Sequence, residues 1–191
     1  MKPMPKLTSF TFQSIDGFYK GVADDVSWNR QGPEEVAFAE AQIARGQVLV
    51  FGRRTYEHMA AFWPTAEAAA YLPAIAHGMN AAQKIVVSTG LRDAPWGPAR
   101  ILGGDATETM RALKAADGPD MTILGSGVLV ASLAAQGLID ALEILIYPVA
   151  IGAGTPLFAG IGRHLDFTLI GHRVFASGTV LLAYAPRNRS T

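Results

Sequence analysis

The chain alternates short apolar runs with stretches of helical period. Val48-Leu49-Val50-Phe51 is the clearest apolar run and suits a buried strand. It breaks at Gly52-Arg53-Arg54-Thr55 and passes into a helical run, Tyr56 to Phe62, stopped by Trp63-Pro64. Upstream, Leu7 to Ile15 reads as a first strand, with Phe10, Phe12 and Ile15 as core positions, closed by the turn signal Asp16-Gly17. Phe18 to Gly32 lacks periodicity and reads as a long loop with Trp28 near its end. Pro33 suits a first helical position, and Glu34 and Glu35 complement the dipole of a helix reaching about Arg45. Val36, Ala39 and Ile43 form its core face, and Phe38 lies on another side, one turn after Glu34.

The same alternation continues downstream. Glu67 to Met79 is helical with an interruption at Pro73, Lys84 to Ser88 is a strand, and Arg100 to Leu102 is another. Asp105 and Glu108 have capping-box spacing for a helix reaching about Ala116. Met121 to Leu124 is a strand that breaks at Gly125-Ser126-Gly127 into a helix from Val128 to Gln136. Ala141 to Tyr147 is a strand, Pro148 to Gly162 is irregular, and Phe167 to Val174 with Thr179 to Ala185 form a hairpin. Strands alternating with helices predict a three-layer α/β protein. Its mixed, mainly parallel sheet would carry helices on both faces and end in an antiparallel C-terminal hairpin. No repeat, low-complexity segment or linker divides residues 1–191, so one domain is expected, with its core at about 7–185.

Composition narrows the function classes. The chain has 191 residues, half of them hydrophobic, with sixteen basic residues balancing sixteen acidic ones. That balance, without a Lys/Arg block, predicts no nucleic-acid or anionic-membrane partner. The absence of cysteine excludes disulfides, thiolate metal sites and a cysteine nucleophile, and fits a cytoplasmic location. No signal-peptide pattern is read in Met1 to Phe12, and no apolar run is long enough to span a bilayer. The four histidines, His58, His77, His164 and His172, lack metal-ligand spacing, so no metal is expected. The apolar segment Leu142 to Ile151, with its Gly- and Pro-rich continuation to Phe158, would be a large exposed patch on a monomer and motivates an expected homodimer.

Candidate chemistry sits at strand ends, where open α/β sheets hold their ligands. Four such ends carry Gly52 to Thr55, Ser88-Thr89, Gly103-Gly104 and Gly125 to Gly127, with Val128 next in line. Glycines let a polyphosphate approach the backbone, helix N-termini supply N–H donors, and Arg53 and Arg54 offer forked contacts to a further phosphate. One extended dinucleotide would touch all four. Neither the Rossmann glycine pattern nor the Walker pattern is present. The plain alternative is a set of ordinary turns with solvated arginines.

Several segments together resemble a known family. They are Asp16-Gly17, Gly-Arg-Arg-Thr-Tyr-Glu, Lys-Ile-Val-Val-Ser, Leu-Gly-Gly-Asp, Gly-Ser-Gly and the long run from Leu138 to Phe158. In that order they resemble the dihydrofolate reductase-like proteins, closest to the branch with the C-terminal reductase domain of bacterial riboflavin biosynthesis. The likeness covers about Leu7 to Ala185. It implies a dihydrofolate reductase-like fold and an NADPH site. Arg53, Arg54, Thr55, Ser88 and Thr89 would hold the adenosine 2′-phosphate side, and Gly125, Ser126 and Gly127 the pyrophosphate. Trp28 would lie in a loop over the nicotinamide. No zinc deaminase motif accompanies these segments.

Glu34 and Phe38 are four apart and share a helix face. An acid beside an aromatic can anchor and polarise a flat heterocycle, so Glu34 is the candidate catalytic residue, with Phe38, Trp28, Tyr56 and Asp16 as candidate substrate contacts. The competing readings are a helix-start acid for Glu34, core aromatics and a turn-fixing Asp16. The expected activity is NADPH-dependent hydride transfer to a small heterocyclic, pterin- or pyrimidine-like substrate. Dihydrofolate reductase proper and a non-catalytic NADPH-binding protein remain as alternatives.

Overall fold

A computed structural model describes residues 4–187. The outermost ends of the expected 1–191 domain, and the first residues of the segment read as lacking a signal peptide, lie outside the described residues. Among the described residues, ten strands and six α-helices follow in chain order. The first half contains β1 (Leu7–Ser14), β2 (Phe18–Lys20), α1 (Pro33–Ile43), β3 (Val48–Gly52), α2 (Arg53–Phe62), α3 (Ala66–Tyr71), α4 (Pro73–Ala81) and β4 (Lys84–Val87). The second half contains β5 (Ala99–Leu102), α5 (Ala106–Ala115), β6 (Met121–Leu124), α6 (Gly127–Ala135), β7 (Ala141–Tyr147), β8 (Thr155–Pro156), β9 (Phe167–Val174) and β10 (Val180–Pro186).

The main sheet has the order β5-β4-β3-β6-β1-β7-β10-β9. Its first six strands run parallel, and β10 and β9 close it antiparallel. The expected three-layer arrangement is therefore present. Side-chain alternation along each strand divides the core in two. Leu7, Val50, Ile123, Leu142 and Ile144 face α5 and α6, where Met110, Val130 and Leu133 cover them. Leu49, Phe51 and Val86 face the other way, toward Tyr56, Ile75 and Met79 of α2 and α4. Further along that second face, Leu145, Tyr147, Phe175 and Leu181 pack with Phe10, Phe12 and Phe38. Pro73 divides Glu67 to Met79 into two helices that pack on each other, since proline lacks the N–H a continuous helix needs.

Ile15, expected in the core, lies just past β1 and is 63% exposed, and two segments also differ from the sequence reading. Phe18 to Gly32 is not wholly loop, because β2 pairs antiparallel with β8 and a short 3-10 turn follows at Val22–Asp24. The pairing needs Gly154, where an added Cβ would stand 2.2 Å from the Lys20 carbonyl oxygen. The second difference concerns β7. It lies between β1 and β10 with Leu142, Ile144, Leu145 and Tyr147 buried, so the apolar run serves the core and is no exposed patch. The motive given for a homodimer is thus removed. Large apolar side chains are exposed instead on the edge strand β9, at Leu169, Ile170 and Val174.

Candidate active site

Because β3 and β6 are neighbours in the sheet, the turns at their carboxyl ends lie side by side. Gly52 caps α2 and Ser126 caps α6. Ser126 sits in the left-handed region at φ 49°, directly after Gly125 at φ 57°. The Gly52 N–H donates to the Ser126 hydroxyl at 3.0 Å, and that hydroxyl donates to the Leu124 carbonyl at 3.2 Å. Ser126 thereby ties the two turns together, with its side chain committed to the protein. The Gly125 N–H donates to the Phe10 carbonyl at 3.0 Å and extends the sheet into the turn. Two helix N-termini, each a source of unpaired N–H groups and partial positive charge, thus open beside each other.

They open on a cleft of about 1200 Å³. Gly52, Arg53, Arg54, Thr55, Gly125, Ser126, Gly127 and Val128 all line it. Tyr19 of β2 lines it too and lies flat on the second turn, for a Cβ at Gly127 would stand 2.5 to 2.8 Å from its ring carbons. The arginines begin α2 rather than preceding it, and both point to solvent. Arg53 pairs with Glu57 at 3.3 Å, and Arg54, 77% exposed, stands 4.0 Å from Asp24. Asp24 also bonds Lys20, which holds its carboxyl below the usual range and raises the lysine. These exposed pairs are weak and can exchange partners for an incoming anion.

The other predicted strand ends contribute less directly. Val87 and Ala106 line the cleft, but Ser88, Thr89, Gly103 and Gly104 do not. The Ser88 hydroxyl accepts from the N–H groups of Gly90 and Leu91 and so shapes its own turn. Asp105 caps α5 as its spacing with Glu108 predicts, accepting from the Glu108 N–H at 2.9 Å.

None of the candidate catalytic and substrate residues lines the cleft. The Glu34 carboxylate instead accepts the Ala176 N–H at 3.1 Å and lies 4.0 Å from Arg173, so it fastens α1 to the β9–β10 turn. Its neighbour Glu35, only 1% exposed, accepts from the Ser177 hydroxyl. Burial opposes its charge, but the bonds led by Ser177 outweigh it and keep the carboxyl below its ordinary value. Phe38 packs between Phe10 and Phe175, with ring centroids 5.9 Å from each. Trp28 stands edge-on to Tyr147 at 5.9 Å and donates its indole N–H to the Asp25 carbonyl. Burial, then the nearby Glu35 charge, pushes the Tyr147 hydroxyl well above its usual value.

Tyr56 is buried on the far side of α2. Its hydroxyl donates to the Trp96 carbonyl at 3.2 Å and accepts the Trp96 N–H at 2.9 Å. It staples the 93–98 loop. Asp16 accepts the N–H groups of Ile151 and Gly152, pinning the segment after β7 to the turn after β1. A bond from Ser14, followed by those two, holds its carboxyl below the usual value.

The cleft has polar lining that sequence reasoning missed. The Asn29 side-chain carbonyl is buried there and accepts no hydrogen bond among the described residues. Gln31, Gln42, Gln47 and Thr122 also line it. The Gln42 amide donates to Glu143 at 3.3 Å, and the Thr122 hydroxyl donates to the Gln47 oxygen at 2.7 Å. Burial raises the Glu143 carboxyl above its ordinary value, with Arg45 opposing. The available signal was Glu143 itself, an acid in the middle of an otherwise apolar strand.

The fold and the cleft at the carboxyl ends of its parallel strands define a dihydrofolate reductase-like α/β protein. More narrowly, the chain belongs to the family of RibD C-terminal domains, whose model matches residues 5–181. It is 23% identical over 171 residues to the uncharacterised protein YyaP of Bacillus subtilis, covering 90% of this chain and 89% of that one. Among solved structures it is similar to a putative riboflavin biosynthesis protein from Shewanella sp. PV-4, with TM-score 0.72, 21% identity and 96% and 99% of the two chains covered. It is also similar to dihydrofolate reductase from Enterococcus faecalis, solved with NADP(H), with TM-score 0.64, 15% identity and 98% and 100% covered.

Proposed function

We propose that the protein is an NADPH-dependent reductase that transfers hydride to a small pterin- or pyrimidine-like heterocycle. The observation that carries this reading is the pair of glycine turns at the N-termini of α2 and α6, tied by Gly52 and Ser126 and opening on one cleft. The family and the NADP(H)-bound relative support it. The N–H groups of Ser126 to Val128 would meet the pyrophosphate, with Gly125 letting it approach the backbone, and Arg53, Arg54 and Thr55 would meet the 2′-phosphate side, with Ser88 and Thr89 flanking it. The bound dinucleotide would supply the hydride.

The chain's own part is to bind, orient and exclude water. The unpaired Asn29 oxygen would accept an N–H from the substrate ring, and Phe10 and Phe12 give that ring an apolar wall. Glu34, turned toward the β9–β10 hairpin, would position α1 and not touch the ring. The test is NADPH absorbance on mixing with pterins, pyrimidine ribosides and dicarbonyls. Oxidation with a heterocycle supports the reading, and its absence with every member opposes it. One observation favours the second reading, a non-catalytic NADPH-binding protein. Among the described residues, the carboxylates lining the cleft are Asp24 and Glu57, both in ion pairs near the N-terminal half of α2.

A further inference from the structure

The cleft does not stop at the strand ends. It is lined by Arg53 at the first residue of α2 and by Trp63 just past the last. Ten residues of helix at 1.5 Å each put those about 15 Å apart. Along the sheet it is lined by Gly52 and also by Leu49, about 10 Å earlier in β3 at a strand's rise per residue. A helix that follows a strand and packs back on it runs toward the strand's start, so both measures point the same way. The cleft continues from the strand ends back over the sheet face, through a gap in the helix layer between α1, α2 and α4.

The two ends differ in charge. Among the described residues, the lining residues with full charges are Lys20, Asp24, Arg53, Arg54 and Glu57, all on or beside the N-terminal half of α2. The far end is walled by Ala39, Ile43, Phe62, Trp63, Leu72 and Ile75, with none of these charges among them. A phosphate there would lose its hydration without gaining a cation. Gln42 and Gln47 stand at this far end too, Gln42 beside Ile43 in α1 and Gln47 two residues before Leu49. With the Gln42 amide NH2 given to Glu143 and the Gln47 oxygen taken by Thr122, the Gln42 oxygen and the Gln47 NH2 face the cleft as one acceptor and one donor.

We infer that the substrate carries an uncharged apolar substituent, an aromatic ring or branched alkyl group, which fills the far end of the cleft, and that no phosphorylated sugar lies there. Gln42 and Gln47 read an uncharged, amide-like edge of that substituent. This rests on the proposed reductase reading for the ring and its position, but not for the apolar end itself.

The experiment is calorimetric titration with two probe pairs, NADPH binding being measured separately. The first pair is 4-phenylbutanol against ribose 5-phosphate, which tests the far end without any heterocycle. The second is 6-(2-phenylethyl)pterin against 6-hydroxymethylpterin phosphate, each compared with unsubstituted pterin. Burying the phenyl group should tighten pterin binding about tenfold or more. The phosphate should give no gain. Ala39→Phe, which fills the far end, should remove both the phenylethyl gain and phenylbutanol binding, and Leu72→Arg should shift preference toward the phosphate. Phenylbutanol binding without pterin binding removes the pterin-like ring from the proposed function and supports the apolar subsite. Failure of NADPH to bind counts against the reductase alone. No phenylbutanol binding, no phenylethyl gain, or tighter binding of the phosphate overturns the inference.

Discussion

The two ends of α2 face one cleft and are built in opposite ways. The N-terminal end is short, contiguous and polar: a glycine, two arginines and a threonine, beside a second glycine turn from β6. The C-terminal end is apolar and gathered from separate helices, with Ala39 and Ile43 of α1 facing Leu72 and Ile75 across it. The first end holds a ligand by backbone donors and exchangeable ion pairs, so its chemistry follows from a few adjacent residues. The second holds chiefly by shape, with Gln42 and Gln47 as its neutral polar groups, and its apolar residues are indistinguishable in type from those of a core.

The largest effect that would sharpen this contrast is at Gly127. Gly127→Ala would drive a methyl into the Tyr19 ring and force β2 off the turn. Overpacking of this kind destabilises by about 1–3 kcal/mol. NADPH affinity should fall together with the melting temperature, and adding Tyr19→Ala should restore stability. A Gly127→Ala protein with unchanged melting and NADPH binding would show that the polar end is not closely packed.

Next come the arginines. Charge-assisted bonds to a phosphate are worth about 1.5–3 kcal/mol, so Arg53→Ala or Arg54→Ala should weaken NADPH roughly tenfold. NADH, which lacks the 2′-phosphate, should bind each variant as it binds the parent. Phenylethyl-pterin binding, read at the other end, should not follow the arginines. Equal losses for both cofactors would place the arginines on the shared pyrophosphate.

A third effect lies away from the cleft and serves as a control for both ends. Lys84, 2% exposed, points its ammonium at the carbonyls of Asn80 and Ala82, at 3.2 and 2.8 Å, and over the Trp96 ring at 4.4 Å. Burial lowers its pKa to about 8. Between that value and the ordinary one near 10.5, the unfolded chain binds the proton and the folded chain releases it. The unfolded state then holds more protons, so this group makes stability rise with pH above about 8, by at most roughly 1.4 kcal/mol per pH unit. Denaturant midpoints at pH 7.5 and 9.5 should show this rise in the parent and lose it in Lys84→Met. A rise that persists in the variant assigns it to another group.

The smallest effect is expected at Glu34. Its carboxylate is half-exposed and bonds the Ala176 N–H, so Glu34→Gln should change stability by no more than about 1 kcal/mol. NADPH affinity and the KM for any verified substrate should stay as they are. A large fall in kcat at constant stability would return Glu34 to the chemistry.

These contrasts explain what was legible in the sequence. The order of elements was, because strands such as Val48–Gly52 and Met121–Leu124 are apolar, short and cut off by glycine. β2 was not, because its three residues gain their partner from Thr155–Pro156, far along the chain. At the site, contiguous motifs put Arg53, Arg54 and Gly125 to Val128 on the cleft. Helix spacing misplaced Glu34, because period alone cannot tell which side of α1 meets the sheet and which meets the β9–β10 turn. Tyr56 lies one residue after Thr55, yet the helix rotates by about 100° per residue and carries it to the far side. Gln42, Gln47 and Thr122 meet only through tertiary packing, with no local signal to join them.

The most direct test of the central claim is equilibrium titration of the parent protein and the Arg53→Ala/Arg54→Ala double variant with NADPH and NADH. The account predicts NADPH binding at least roughly tenfold tighter than NADH in the parent, with the difference abolished in the double variant. Equal affinities in the parent, or no binding of either cofactor, would contradict it.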